Sequence, residues 1–227
     1  MTKLILTTIG TSIITKKLYP PQFNSEITLI KEGKRPRQYE NCVKGTVTNL
    51  RNVFQQNLPN EFLSAELASL RVFKTNKKLN ENDVIVLLAT DTLDGKFCAD
   101  VIKKVLDPPN WCNIEGPFII KGFKTDAIQN KNIAEDFVNA GLNNLKDEVE
   151  RILRSNTFDT RYFNITGGFK GIIPFATILA FEKRISLMYL YETSSDLIII
   201  DPPRDFFCSF KEMEDSTSRI TSELGYI

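Results

Sequence analysis

From Phe163 to Pro174 the chain reads Phe-Asn-Ile-Thr-Gly-Gly-Phe-Lys-Gly-Ile-Ile-Pro. An apolar run enters the glycine pair, and a helical spacing of Phe175, Ile178, Leu179 and Phe181 leaves it. A strand, a two-glycine turn and a helix start in so few residues belong to layered α/β architectures. Such a turn aims backbone N–H groups and the positive end of a helix dipole at one spot, where an anion can sit. Lys170 stands in the first turn of that helix, where the dipole disfavours a cation, and this suggests a partner of opposite charge. A tight strand-to-helix connection carrying a surface lysine has the same sequence. Both readings stand at this point.

The rest of the chain repeats the alternation. Lys3 to Ile9 is a β-rich run with little polar alternation, as in a strand covered on both faces, and it ends in Gly10-Thr11-Ser12. Lys16 to Glu40 holds Pro20, Pro21, Gly33, Pro36 and many charges, which predicts a long loop or flap. Helical spacing follows over 41–56 and again over 60–70. Asp83 to Ala89 is a second buried strand ending in Thr90-Asp91-Thr92, with a helix behind it that Pro108 and Pro109 stop. A short strand is predicted over 117–121, a long amphipathic helix over 132–154, and a strand over 162–165. After the glycine turn, a helix to about 184 precedes two closely spaced strands over 186–191 and 196–200.

This pattern predicts an α/β fold, a mostly parallel sheet with helices on both faces and an antiparallel hairpin at one edge. No repeat or low-complexity linker divides the chain. The expectation is one domain over 1–203, with 204–227 as a C-terminal tail or short docking segment.

Composition narrows the chemistry. Among 227 residues there is no histidine, which excludes a Ser-His-Asp triad, a Cys-His pair, paired-histidine RNA cleavage and histidine-ligated zinc. Any reaction must run on Lys, Arg, Ser, Thr, Tyr, carboxylates or backbone donors. A net charge of +1 offers no field for duplex nucleic acid or an anionic membrane, so an anion site must be a local cluster. The apolar runs are too short to span a bilayer, and the opening residues carry no signal-peptide profile. The four cysteines, Cys42, Cys98, Cys112 and Cys208, form no CxxC pair, and free thiols in a reducing cytoplasm are expected.

Three predicted strand ends carry glycine, small hydroxyl residues or charge: Gly10-Thr11-Ser12; Thr90-Asp91-Thr92 with Gly95-Lys96; and Thr166-Gly167-Gly168-Phe169-Lys170. In open α/β sheets ligands bind beyond the carboxyl ends of the strands, where strand order reverses. Small residues admit backbone N–H donors, hydroxyls donate to phosphate or ribose oxygens, and lysines neutralise charge. Each trio alone reads as a helix cap, but three on one rim favour a phosphate-containing ligand. Neither GxGxxG nor GxxxxGK[ST] occurs in the expected places, which disfavours ordinary NAD or ATP binding. Asp91, Asp94 and Asp100 invite a magnesium reading, and helix capping with a solvated face explains them more simply. No metal and no cofactor is expected.

Together these stretches resemble the CRISPR-associated Rossmann-fold (CARF) family, in particular its small stand-alone members of the ring nuclease type. The likeness lies in Thr7-Thr8-Ile9-Gly10-Thr11-Ser12, in Leu88 to Lys96, in Asn164 to Pro174, in Tyr189-Leu190-Tyr191-Glu192 and in the Ile-Ile-Asp-Pro-Pro ending. The resemblance implies a Rossmann-like CARF domain in a cytoplasmic homodimer. The two subunits would share a pocket for a cyclic oligoadenylate, the second messenger of type III CRISPR defence, with cyclic tetra-adenylate favoured and cyclic hexa-adenylate the other ring considered. It implies ligand contacts from Gly10, Thr11, Thr90, Asp91, Thr92, Lys96, Thr166, Gly167, Gly168 and Phe169.

The same likeness implies that Ser12 and Lys170 carry cleavage. The ribose 2′-OH would attack the neighbouring phosphorus without a metal, leaving a 2′,3′-cyclic phosphate and switching the antiviral response off. With no strong general base in view, turnover is expected to be slow. Many members fuse the sensor to a HEPN ribonuclease built on an Arg and His motif, which a chain without histidine cannot carry. The alternative is a sensor that holds the ring without cutting it, separated from or partnered with an effector.

Overall fold

The computed structural model describes residues 1–77, 79–107, 112–123, 137–155, 157–168, 170–191 and 196–203. Six strands form one sheet: β1 (Lys3–Ile9), β2 (Val84–Thr90), β3 (Asn113–Ile120), β4 (Thr160–Asn164), β5 (Ser186–Leu190) and β6 (Leu197–Ile200). Their spatial order is β3-β2-β1-β4-β5-β6. The first five run parallel, and β6 pairs antiparallel with β5 through Leu187↔Ile200 and Tyr189↔Ile198. This is a Rossmann-like α/β sheet with an antiparallel edge. Chain order runs outward in one direction from β1 and in the other from β4, so the reversal lies between those two strands.

Side chains alternate across a strand, and both faces of this sheet are covered, which is why β1 and β2 read as continuous apolar runs. On one face Ile5, Ile9, Ile85, Leu87 and Leu190 pack under α2 (Asn24–Lys31), α3 (Tyr39–Gln55), α4 (Ala65–Lys77) and α5 (Leu93–Leu106). On the other, Leu4, Leu6, Val86, Leu88 and Phe163 meet α6 (Leu142–Ser155) and α7 (Ile173–Glu182). Each fully buried aliphatic side chain contributes about 1.5–3 kcal/mol relative to exposure, so these two layers dominate the stability. One further short helix, α1 (Ser12–Thr15), leaves the end of β1.

The sequence reading of 16–40 as a long loop is corrected here. A 3-10 turn at Pro21–Phe23 leads into α2, whose Ile27 and Ile30 are buried one turn apart, and Tyr19 and Tyr39 are buried on either side of it. Prolines and charges mark its ends and exposed face, and the short helical stripe between them is what seats the segment on α5. The helix expected over 60–70 begins later, at Ala65, after a 3-10 turn at Asn60–Phe62. The amphipathic helix expected over 132–154 appears as a π-helical turn at Phe137–Gly141 followed by α6; its first part and the tail 204–227 lie outside the described residues. Among the described residues Cys42, Cys98 and Cys112 are free thiols, and no helix is long and apolar enough to cross a membrane.

Candidate functional site

The reversal point between β1 and β4 brings the first and third strand-end loops into direct contact. Gly10 lies against Gly168 so closely that a Cβ on Gly10 would sit 2.8 Å from the Gly168 Cα and N. Gly168 takes a positive φ of 96°, which only glycine adopts without strain. Neighbouring strands hold the turn in place. The Thr8 hydroxyl donates to the Gly167 carbonyl at 2.8 Å, and the Leu190 N–H donates to the Thr166 hydroxyl at 2.9 Å. Buried Asn164 accepts from the Thr166 N–H at 3.2 Å and donates to Ser69 Oγ on α4 at 2.9 Å. The turn is therefore fixed by β1, β5 and α4 together.

A cavity of about 790 Å³ opens beside this junction. Thr11, Ser12, Thr166, Gly167, Gly168 and Lys170 form its polar end, and Lys16 adds a second cation. Ile173 and Phe181 of α7, with Tyr189 of β5 and Ile198 and Ile200 of β6, form an apolar wall. Lys170 opens the 3-10 turn Lys170–Ile172 that leads into α7, where the helix dipole disfavours a cation. It is exposed and makes no ion pair among the described residues. The N–H groups of Gly167 and Gly168 likewise donate to no other group among the described residues. Backbone donors and an ammonium that are unpartnered among the described residues and line one cavity are groups that can hold an oxyanion.

The second loop is placed differently. Thr90 and Thr92 are buried, their hydroxyls are 3.0 Å apart, and Thr92 caps α5 by accepting from the Gly95 N–H at 3.2 Å. Lys96 pairs with Asp91 at 2.9 Å, and the Asp91 N–H donates to the Phe123 carbonyl. These residues flank the first loop at the end of β2, but Thr90, Asp91, Thr92 and Lys96 are not on the cavity wall. Of the candidate magnesium ligands, Asp94 accepts from the Gly95 N–H at 2.8 Å and Asp100 accepts from the Tyr39 hydroxyl at 3.0 Å. Phe169 lies outside the described residues.

The sequence reading passed over Glu66, in the first turn of α4. Its carboxylate is fully buried, and it accepts the Gly10 N–H at 2.9 Å and the Ser12 hydroxyl at 2.6 Å. A Cβ on Gly167 would fall 2.2 Å from Glu66 Oε1, so the glycine turn leaves the space this carboxylate fills. Gly10 thus spends its N–H inward and is not a free anion donor. Lys16 was passed over as well; its ammonium donates to the Leu63 carbonyl at 3.4 Å while its stem lines the cavity.

A family model described as CRISPR-associated protein (Cas_APE2256) matches residues 61–203, from just before α4 through β6. The match takes in Glu66, the second strand-end loop and the whole glycine turn. No curated protein matches the chain.

Proposed function

Since the chain belongs to this CRISPR-associated family and its role lies in CRISPR defence, we propose that it binds a cyclic oligoadenylate and opens the ring by metal-independent attack of a ribose 2′-OH. The observation that carries this reading is that Gly167, Gly168, Lys170 and Ser12 line one cavity, with the two glycine N–H groups and the Lys170 ammonium unpartnered among the described residues. These groups suit a phosphodiester, and the apolar wall with Tyr189 and Phe181 suits a stacked base. One protomer's cavity is of small-ligand size and short of what a whole ring needs. A two-fold dimer joining two such cavities fits a ring with two-fold symmetry.

Cleavage in this reading is mainly positioning. Holding the 2′-oxygen in line with the phosphorus and the departing 5′-oxygen removes much of the entropic barrier. Lys170 and the glycine N–H groups stabilise charge growing on the phosphoryl oxygens. Products are linear adenylates ending in 2′,3′-cyclic phosphate.

Incubation with cyclic tetra-adenylate and cyclic hexa-adenylate in EDTA, followed by chromatography of the products, tests the proposal. Linear products that disappear in Lys170→Ala are expected. Tight binding without products would leave the sensor reading, and absence of binding to either ring would overturn both. Gel filtration should give the mass of a dimer.

A further inference from the structure

We infer that Glu66 is the proton acceptor of this site and works through Ser12. The inference rests on the ring-cleavage reading and supplies the base that a chain without histidine otherwise lacks. Glu66 is fully buried, and its Oε2 receives the only hydroxyl proton of Ser12 at 2.6 Å, the length of a charge-assisted bond. With that proton committed inward, the Ser12 oxygen presents lone pairs to the cavity it lines. A hydroxyl so placed accepts a proton from a ligand while handing its own to the carboxylate.

The surroundings fit this role better than a purely structural one. A buried carboxylate is costly without a cation, and Glu66 makes no ion pair among the described residues. Cys98 on α5 lies within range of its charge, Asp94 on the same helix acts on that thiol as well, and Lys16 and Lys170 line the cavity that Ser12 lines. Burial first, and then the Glu66 charge, hold the Cys98 thiol well above its ordinary range, so the thiol is no competing acid near neutrality. The carboxylate behind Ser12 also repels phosphate. Ser12 therefore faces the ribose hydroxyl, and the phosphate lies towards Lys170 and Gly168.

The step balances as follows. The 2′-OH proton passes to Ser12 Oγ as the Ser12 proton passes to Glu66 Oε2. The 2′-oxygen bonds to phosphorus, and the bond from phosphorus to the 5′-oxygen breaks. The departing oxygen takes a proton from water, and the proton that Glu66 releases at turnover neutralises the hydroxide left behind. Glu66 touches no reacting atom in this scheme; it is a positioning and proton-accepting residue acting through Ser12.

The test measures cyclic tetra-adenylate binding, single-turnover cleavage against pH and thermal melting for the wild type, Glu66→Gln, Ser12→Ala and the double variant. Wild-type cleavage should show a one-proton loss of rate on the acid side, and comparison with Glu66→Gln separates a carboxylate from protonation of the adenine rings. Glu66→Gln should bind the ring within about threefold, cleave about 100-fold slower and lose that acid limb. Ser12→Ala should match it, and the double variant should be little slower than either single one, as for residues acting as a unit.

A wild-type profile without an acid limb would overturn the inference even if Glu66→Gln fails to fold. So would Glu66→Gln with an unchanged profile, or with binding and cleavage lost in equal proportion. Wild type that binds without cleaving would sink the proton-acceptor role and leave the sensor. Wild type that does not bind would sink the ring reading itself.

Discussion

Gly10 and Gly168 touch backbone to backbone, the end of β1 against the turn that follows β4. A Cβ at Gly10 would lie 2.8 Å from Gly168 Cα, and what it meets is main chain, which cannot swing aside. Gly10→Ala must therefore part the two loops. We expect a destabilisation of about 1–3 kcal/mol, as for other overpacked sites. At this chain length that lowers the melting temperature by about 2–4 °C per kcal/mol. Cyclic tetra-adenylate binding should weaken about tenfold or more, because 1.4 kcal/mol of misplacement is already that factor. A melting curve and a binding isotherm check both, and an unchanged isotherm would show that the loops do not position the ligand together.

Lys170 offers the opposite kind of test, a change of function without a change of fold. It is exposed and carries no ion pair among the described residues, so its removal breaks no described contact. Lys170→Ala should melt within about 2 °C of the wild type, in line with surface substitutions of under about 0.5 kcal/mol. Ring cleavage should fall about 10²–10³-fold, the loss expected for one group that stabilises transition-state charge. Single-turnover kinetics with excess protein separates this from weaker binding. Cleavage within threefold of wild type would remove Lys170 from the reaction.

At the far end of the sheet Asp83 supplies a stability control. It is fully buried, accepts the Lys3 N–H at 2.7 Å and the Asn80 N–H at 2.9 Å, and pairs with the Lys3 ammonium at 3.3 Å. Asp83→Ala leaves these donors unmatched and should cost about 3–5 kcal/mol in a denaturant titration. Cleavage per folded molecule should not change, since the residue precedes β2 and the cavity opens beyond the carboxyl ends of the strands. A selective loss of cleavage would mean that the two ends of the sheet are coupled.

The thiols carry a pH signature. Burial chiefly, with Glu26 adding to it, pushes Cys42 up to about 11, and burial with Asp83 pushes Cys112 up to about 12. The folded values lie above the unfolded one of about 8.5. The unfolded chain therefore releases these protons first as pH rises, and stability falls from about pH 8.5 upward. Stability measured from pH 7 to 10 should decline, and Cys42→Ala with Cys112→Ala should make the decline shallower, with buried Cys98 keeping its share. An aromatic disulfide reagent at pH 8 should label neither Cys42 nor Cys98 before unfolding.

Much of this site is written plainly in the chain. β1 and β2 are covered on both faces, so their apolar runs are uninterrupted, and Gly10, Thr90 and Gly167 mark where the strands give way to loops. Glu66 was hidden by its neighbours. Ser64 Oγ accepts the Leu67 N–H at 3.2 Å, and an acidic residue in the first turn behind such a cap looks like a favourable dipole partner. The readable signal was spacing: Glu66, Leu70 and Phe73 share one helical stripe, and both apolar members are buried. A carboxylate on an apolar stripe is misplaced unless something inside needs it. Which loops meet was not legible, because the contact of Gly10 with Gly168, and the place of Thr90 and Thr92 off the cavity wall, follow from strand order.

The pairing of β1 with β4 also governs when the protein can act. Lys3 registers against Thr160, and the chain between them contributes β2, β3 and most of the helices. A parallel contact across that separation forms late, after the cost of closing a long loop has been met. During synthesis the first strand must wait for the fourth to emerge, and until then Ser12 has no glycine turn opposite it. A chain without β4 would therefore present only half of the proposed site. If the proposed site binds its ligand, binding competence comes together with the finished sheet, and ligand capture would read out complete folding.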